Sequence, residues 1–315
     1  MSVRIAFLGT AQFAVPALEA LIASKHDLVA VVTGPDKPAG RGRKLHPTPV
    51  KQVAAEAGIP VMTPPGPRDP QFISDFCALE LDAAVVVAYR ILPPEVFDAP
   101  RLGTLNIHPS LLPRYRGPAP IQWALINGDE ETGVSIIRIT ETVDAGGVVL
   151  QERVHIHPEE DAAKLSDRLA VFGGRMALQA LDGLEAGSLK PLQQDESQVT
   201  RAPKLTKEDG QIDWNRDGLS VHNLIRGVTP WPGAMTTLPD GKGLKLFESR
   251  YEYDSEGAAP GEVIRSTERQ EYLKIACGEG AIRVLEVQLE GKRRMTVGEF
   301  LRGYDLSSGS LLGQP

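Results

Sequence analysis

Asn106 and His108 stand two residues apart at the end of the short apolar run Gly103-Thr104-Leu105-Asn106-Ile107-His108. In an extended strand that spacing puts both side chains on one face and turns Ile107 to the other. An amide donor and an imidazole converging there can hold a developing oxyanion, and a carboxylate can orient the imidazole and raise its pKa. Asp144, in the turn Glu141-Thr142-Val143-Asp144-Ala145-Gly146-Gly147, is the candidate carboxylate. Such a set suits acyl transfer to an amine, in which a neutral amine attacks a carbonyl carbon and a proton has to be moved. The plainer alternative is a hydrogen-bonded pair closing a strand, with Asp144 capping its glycine turn.

Other chemistries fit less well. A serine nucleophile needs an elbow, and no G-x-S-x-G occurs. Ser110 follows His108 too closely, in a proline-flanked loop, to serve as one. His155 and His157 alternate along a strand away from the Asp144 turn, so no metal site is expected. Cys77 and Cys277 form neither a metal pattern nor a disulfide framework, and both read as small buried residues.

The elements that position these groups alternate strand with helix. Residues 3–8 form an apolar strand, Gly9-Thr10 a turn, and residues 13–23 a helix. G-x-G-x-x-G is absent, which removes a dinucleotide site; Gly9 either permits a tight turn or backs a substrate. Residues 27–33 are a second strand. A loop with Lys37, Arg41, Arg43 and Lys44 follows, its glycines interleaved with cations. It reads either as a solvated loop or as a segment ordered by phosphates. Thr48-Pro49 supplies N-cap and N1 of a helix reaching Ala57. The continuous apolar run at 82–88 is typical of a strand buried on both faces. Tyr89-Arg90-Ile91-Leu92-Pro93 lies at its carboxyl end, where ligands sit in open parallel sheets.

Residues 118–127 read as a helix with Trp123 and Ile126 inward, 133–139 and 148–156 as strands, and 161–183 as a long amphipathic helix. No period is visible over 188–206. After a helix at 217–227 and the stiff turn Thr229-Pro230-Trp231-Pro232-Gly233, short alternating segments spaced by glycines predict an antiparallel barrel. The expected architecture is α/β: a Rossmann-like open, mostly parallel sheet domain at 1–189, a linker at 190–206, and a small OB-like antiparallel β-barrel domain at 207–315.

A hydrophobic content of 42% and a charged content of 24% suit a globular chain, and no apolar run is long enough to span a membrane. The N-terminus lacks the layout of a signal peptide, which makes a cytoplasmic enzyme the expectation. The net charge of −7 argues against indiscriminate nucleic-acid binding. A local basic footprint, such as the 37–51 loop, is still compatible with it.

Asn106-x-His108, then Ser110-Leu111-Leu112-Pro113-Arg114-Tyr115-Arg116-Gly117, then Asp144 before glycine, resembles the signature of the folate-dependent formyltransferases. Pro38-Ala39-Gly40-Arg41-Gly42-Arg43-Lys44-Leu45, Gln211-Ile212-Asp213-Trp214 and Pro230-Trp231-Pro232-Gly233-Ala234 extend the resemblance to the branch that acts on tRNA. It implies 10-formyltetrahydrofolate as co-substrate, the methionyl amino group of initiator tRNA as acceptor, no metal, and a monomer. It further implies that Asn106 and His108 support the oxyanion, that Asp144 pairs with His108, and that Ser110, Leu111, Leu112, Pro113 and Tyr89 hold folate. Arg41, Arg43 and Lys44 would meet the tRNA acceptor end, with Lys292, Arg293 and Arg294 as secondary contacts. A sugar-nucleotide N-formyltransferase is the alternative; it would not need the basic loop. Two positions depart from the pattern: Arg90 stands where a glycine usually follows the tyrosine, and Gly147 where an acidic residue is usual.

Overall fold

A computed structural model describes residues 2–39, 44–267 and 272–313. β1 (Arg4–Gly9) leads through a 3-10 turn into α1 (Val15–Ile22), and β2 (Asp27–Val32) returns beside it. A hairpin of β3 (Lys37–Ala39) and β4 (Lys44–His46) precedes α2 (Pro49–Glu56). The alternation continues with β5 (Val61–Met62), α3 (Pro70–Cys77), β6 (Ala83–Val87), α4 (Pro94–Phe97) and β7 (Thr104–His108). After α5 (Pro120–Ile126) come β8 (Glu131–Arg138), β9 (Val148–His155) and α6 (Ala162–Glu185). α7 (Gly218–Gly227) precedes β10 (Ala234–Thr237), β11 (Gly243–Glu252), β12 (Val263–Thr267), β13 (Tyr272–Ala276), β14 (Ala281–Leu289) and β15 (Met295–Thr296), and α8 (Val297–Gly303) follows.

The first sheet has the order β5-β2-β1-β6-β7-β8-β9. β1 pairs in parallel with β2 and β6, and β6 with β7, whereas β8 is antiparallel to β7. This is the Rossmann-like arrangement. The chain runs outward from β1 through β2 to β5 and then crosses to β6 on the other flank. The order therefore reverses between β1 and β6, and the crevice beyond their carboxyl ends is the natural ligand position. All five residues of β6 are buried, as its unbroken apolar run requires.

Local choices fit this frame. A Cβ on Gly9 would lie 2.8 Å from that of Ala14 and 3.1 Å from the Val87 carbonyl oxygen, so glycine closes the tight turn into α1. Thr48 caps α2, its hydroxyl accepting from Lys51 N–H at 3.0 Å. α6 carries Gly173 and Gly174 in its interior, each disfavoured by about 1 kcal/mol against alanine in a free helix. They are there for contact. A Cβ on Gly173 would sit 2.6 Å from Ile107 Cγ2, and one on Gly174 would sit 3.0 Å from Ala17 Cα. The helix thus lies directly on β7, behind Asn106 and His108.

The second sheet is antiparallel and curled, in the order β10-β11-β14-β13-β12 with β15 on β14. Its edge strands β10 and β12 are not neighbours among the described residues, so the expected barrel is a half-barrel around one apolar core. That core includes Trp214, Val221, Ile225, Leu246, Ile275, Ile282 and Phe300.

Chain segments are shared out differently from the linear order expected. The first unit comprises Met1–Pro118, Thr132–His155 and Ser166–Ala202, and the second Ala119–Glu131, Ile156–Leu165 and Pro203–Pro315. The 190–206 linker is a correction: residues up to Ala202 are bonded into the first unit, because their polar groups satisfy its backbone. Val148 and Leu192 exchange both backbone bonds, and Arg116 N–H donates to Thr200 O at 3.0 Å while its own carbonyl accepts from Ala202 N–H at 2.8 Å. Trp123 and Ile126 of α5 pack against the second unit's core. Cys77 is a second correction: it is exposed, since α3 buries Phe72 and Phe76 instead, while Cys277 is buried and its thiol pushed up to about 12 by that burial.

Gly174→Ala gains helix propensity but forces the new methyl against α1 backbone. We expect a net loss of about 1–3 kcal/mol in urea-unfolding free energy. A stabilised variant would show that α6 does not press on α1.

Candidate active site

β7 delivers the two residues singled out by their spacing. Asn106 lies opposite Val86 on one side and Ile137 on the other, while Ile107 turns into the core. The Asn106 side chain is half-buried, and its amide takes no hydrogen-bond partner among the described residues. His108 is only 4% exposed. Its Nε2 is 3.0 Å from the Tyr115 carbonyl oxygen, which can only accept, so Nε2 carries the proton in the neutral ring. Nδ1 is then the basic nitrogen, and it faces Asp144 Oδ1 at 3.6 Å.

Burial holds the His108 pKa below the ordinary histidine value; the Asp144 charge and the Tyr115 carbonyl pull upward but do not win. Asp144 does pull this pKa up, as expected of a carboxylate partner, but the net shift is downward. Desolvation outweighs the partner because the ring is almost fully enclosed. The imidazole is neutral at pH 7, and a proton gained on Nδ1 would be stabilised by Asp144.

Asp144 is held rather than merely present. It occupies the left-handed region at φ 56°, its Oδ2 accepts from Gly117 N–H at 2.9 Å, and its own carbonyl accepts from Gln194 Nε2 at 2.8 Å. The same Gln194 amide donates to Gly146 O at 2.8 Å. Gln194 Oε1 accepts from Arg116 Nε at 3.0 Å and Nη2 at 2.7 Å, and Arg116 also pairs with Glu196. A Cβ on Gly146 would collide with the Arg138 carbonyl oxygen, so the turn folds tightly onto the end of β8. Gln194 was invisible in the sequence: it lies in a stretch without period, and no local signal distinguishes it from Gln193.

The Ser110–Gly117 stretch is a hydrogen-bonded knot. Ser110 is fully buried and its hydroxyl donates to Arg114 O at 2.7 Å. Ser135 Oγ donates to Ser110 O at 2.6 Å and accepts from Leu112 N–H at 3.1 Å. Gln151 Nε2 reaches Leu112 O at 2.9 Å. Leu112 is buried, which leaves Leu111 and Pro113 as the partly exposed members.

Past β6, Tyr89 is half-buried, and its hydroxyl is buried with no partner. Burial pushes its pKa up. Ile91 is 70% exposed and Val143, on the Asp144 turn, 50%. A cleft of ≈520 Å³ is lined by Phe97, Asp98, Ile139, Thr140, Glu141 and Pro191. It shares the turn but not Asn106, His108 or Asp144. Gly147 has a local reason: a Cβ there would sit 2.7 Å from Pro191 Cβ, so a larger residue would push away the segment whose Leu192 bridges to Val148.

The basic loop is only partly in view. Arg41 and Arg43 lie outside the described residues, and Lys44 is seen only as the first residue of β4. In the second unit, Arg293 pairs with Glu299 at 2.7 Å and Arg294 with Glu286. No group of three potential metal ligands exists among the described residues. No helix among them is long and apolar enough to cross a membrane.

A Rossmann-like sheet with an unengaged amide, a neutral imidazole and an anchored carboxylate near one strand end is an arrangement suited to non-covalent group transfer. The chain belongs to the formyl transferase family: residues 3–181 match the formyl transferase domain and residues 204–305 its C-terminal domain. It is 44% identical over 312 residues to the methionyl-tRNA formyltransferase of Citrifermentans bemidjiense, covering 99% of this chain and 96% of that one. It is 47% identical to the enzyme of the same name from Methylococcus capsulatus, over 98% and 99% of the two chains. Among solved structures, HypX from Aquifex aeolicus with tetrahydrofolic acid superposes with a TM-score of 0.66 at 21% identity. That match takes in 98% of this chain, which spans about half of HypX. An N-formyltransferase from Helicobacter canadensis, complexed with folinic acid and dTDP-3-aminofucose, gives 0.67 at 19% identity over 90% and 98% of the chains. These two likenesses establish the fold.

Gln194→Ala should remove the tie on two turn carbonyls and strand part of the Arg116 fork. The expected cost is about 1–3 kcal/mol of unfolding free energy. A variant as stable as the parent would mean that the turn holds itself.

Proposed function

We propose that this enzyme transfers the formyl group of 10-formyltetrahydrofolate to the amino group of methionyl initiator tRNA, giving N-formylmethionyl-tRNA. The meeting of Asn106, His108 and Asp144 carries the chemistry of this reading. Full-length identity of 44–47% to methionyl-tRNA formyltransferases supports the choice of acceptor. The sugar-directed likeness, at 19%, speaks only for the fold. The folate would be held at the mouth of β6 and the Asp144 turn, where the unpartnered Tyr89 hydroxyl and the exposed Ile91 and Val143 suit a flat, partly polar, partly apolar ring.

In this mechanism Asn106 donates its free amide N–H to the formyl oxygen as the amine adds and negative charge collects there. The neutral His108 Nδ1, backed by Asp144, takes the proton that the attacking nitrogen must lose and keeps it available for the departing nitrogen of the donor. The first unit carries out this chemistry. Lys44 and the sequence-adjacent Arg41 and Arg43 meet the acceptor end, and the segment at 207–315 supports the tRNA. With 14 Lys and Arg against 17 Asp and Glu, that segment can present only a one-sided footprint. The protein works as a monomer in the cytoplasm, where translation supplies its acceptor.

The deciding assay offers charged initiator and elongator methionyl-tRNA with the folate donor. Formylation of initiator tRNA is expected, and inactivity on both despite tight folate binding would overturn the transferase reading. Asn106→Ala should lower kcat by ~10²–10³ with little change in melting temperature. A loss under tenfold removes the amide from the chemistry. Burial holds the His108 pKa below the ordinary histidine value, so its ring resonances followed by NMR in the free enzyme should titrate only below about 6.5 and stay constant through neutrality. The rate itself should still rise above pH 7 as the acceptor amine loses its proton. Ring resonances that titrate above pH 7 would contradict a buried, neutral imidazole.

A further inference from the structure

Arg90, which stands where a glycine usually follows the tyrosine, has a defined place in the fold. Its Nη1 donates to Pro65 O at 2.8 Å, and it makes no other hydrogen bond or ion pair among the described residues. A Cβ on Gly34 would lie 3.9 Å from Arg90 Nη2 and 3.5 Å from Thr10 Cγ2. Thr10 follows β1, Gly34 follows β2, and Pro65 follows β5. The side chain starts after β6 and lies across the carboxyl mouths of those three strands, over the point where the strand order reverses.

Its direction is informative. In the order β5-β2-β1-β6-β7, Arg90 reaches away from β7, which carries Asn106 and His108, and toward Gly34, from which the chain enters the β3–β4 hairpin. The acid on this side, Asp36, is already neutralised by Lys51 at 2.7 Å. The guanidinium is therefore anchored at one corner, exposed, and without a competing carboxylate. A planar fork held in that way is suited to oxyanions.

We propose that Arg90 is a further substrate-binding residue that holds a phosphate of the acceptor end of the tRNA entering along the hairpin. This rests on the tRNA reading above. Arg90 acts as a fixed cation beside Gly34, from which the chain enters the hairpin. It compensates here for the glycine found elsewhere by adding a contact on the acceptor side of β6, opposite the folate side.

The test is steady-state formylation by the full-length enzyme with Arg90→Gln and Arg90→Lys. Methionyl-tRNA is varied against saturating donor, and then donors with one and three glutamyl groups are varied against saturating tRNA. Arg90→Gln should raise KM for tRNA roughly tenfold, leave both donor KM values within about twofold, and reduce the salt slope of log kcat/KM by about 0.7–0.9. Arg90→Lys should recover most of the loss. An unchanged tRNA KM overturns the assignment. So does a donor KM that rises with glutamyl number, which would mark a carboxylate contact instead. Equal losses for both substrates, with an unaltered salt slope, would mean that Arg90 only braces the 63–66 loop. A parent enzyme inactive on methionyl-tRNA would overturn both readings, whereas an active parent with an indifferent Arg90→Gln overturns this one alone.

Discussion

Two backbone carbonyls in a seven-residue turn have to be satisfied for the site to exist. Asp144 sits in a left-handed conformation just before two tight approaches, at Gly146 and Gly147, and that geometry turns the carbonyls of Asp144 and Gly146 away from any regular ladder. The Gln194 amide takes both, and its oxygen is in turn fixed by Arg116. The carboxylate that faces His108 is aimed by this chain of bonds. Buried carbonyls left open would disfavour the turn, and without it the imidazole would have no charge to stabilise its protonated form.

The same site shows how opposing electrostatic effects are ranked by enclosure. A carboxylate at 3.6 Å raises the affinity of His108 for a proton, and near-complete removal from water lowers it. The second effect is larger, so the ring rests uncharged while its partner remains ready to compensate a transient proton. Distance to a partner alone would have given the wrong sign.

Much of the frame was legible because period and composition act locally. The apolar run of β6, the capped start of α2 and the alternation of strands with helices follow from residue types that have few other options. Asn106, His108 and Asp144 were recognisable because a two-residue spacing and a glycine turn are themselves geometric statements. What escaped was long-range. Gln194 reaches the Asp144 turn and Arg116 through bonds that span dozens of residues, and nothing in its neighbourhood records it. The exposed Cys77 went astray for a related reason: which way a short sulfur side chain turns is decided by partners, not by period.

The division of the chain bears on how the molecule is made. The second unit takes Ala119–Glu131 and Ile156–Leu165 from within the span of the first, besides everything after Pro203. Its two early pieces leave the ribosome long before the sheet they belong to, and they must wait, solvated and unpartnered, for β10 to β14. Contacts of such sequence separation are slow to form, since closing the intervening chain costs entropy before any burial offsets it. The first unit has the mirror-image dependency, because Gln194 and Ala202 close it only after two excursions into its neighbour. An excised fragment beginning at Pro203 would lack α5, which packs on α7, and so would expose part of its own core. The Asp144 turn and the half-barrel are therefore interleaved along the chain, and neither unit is complete until the other's segments have been made.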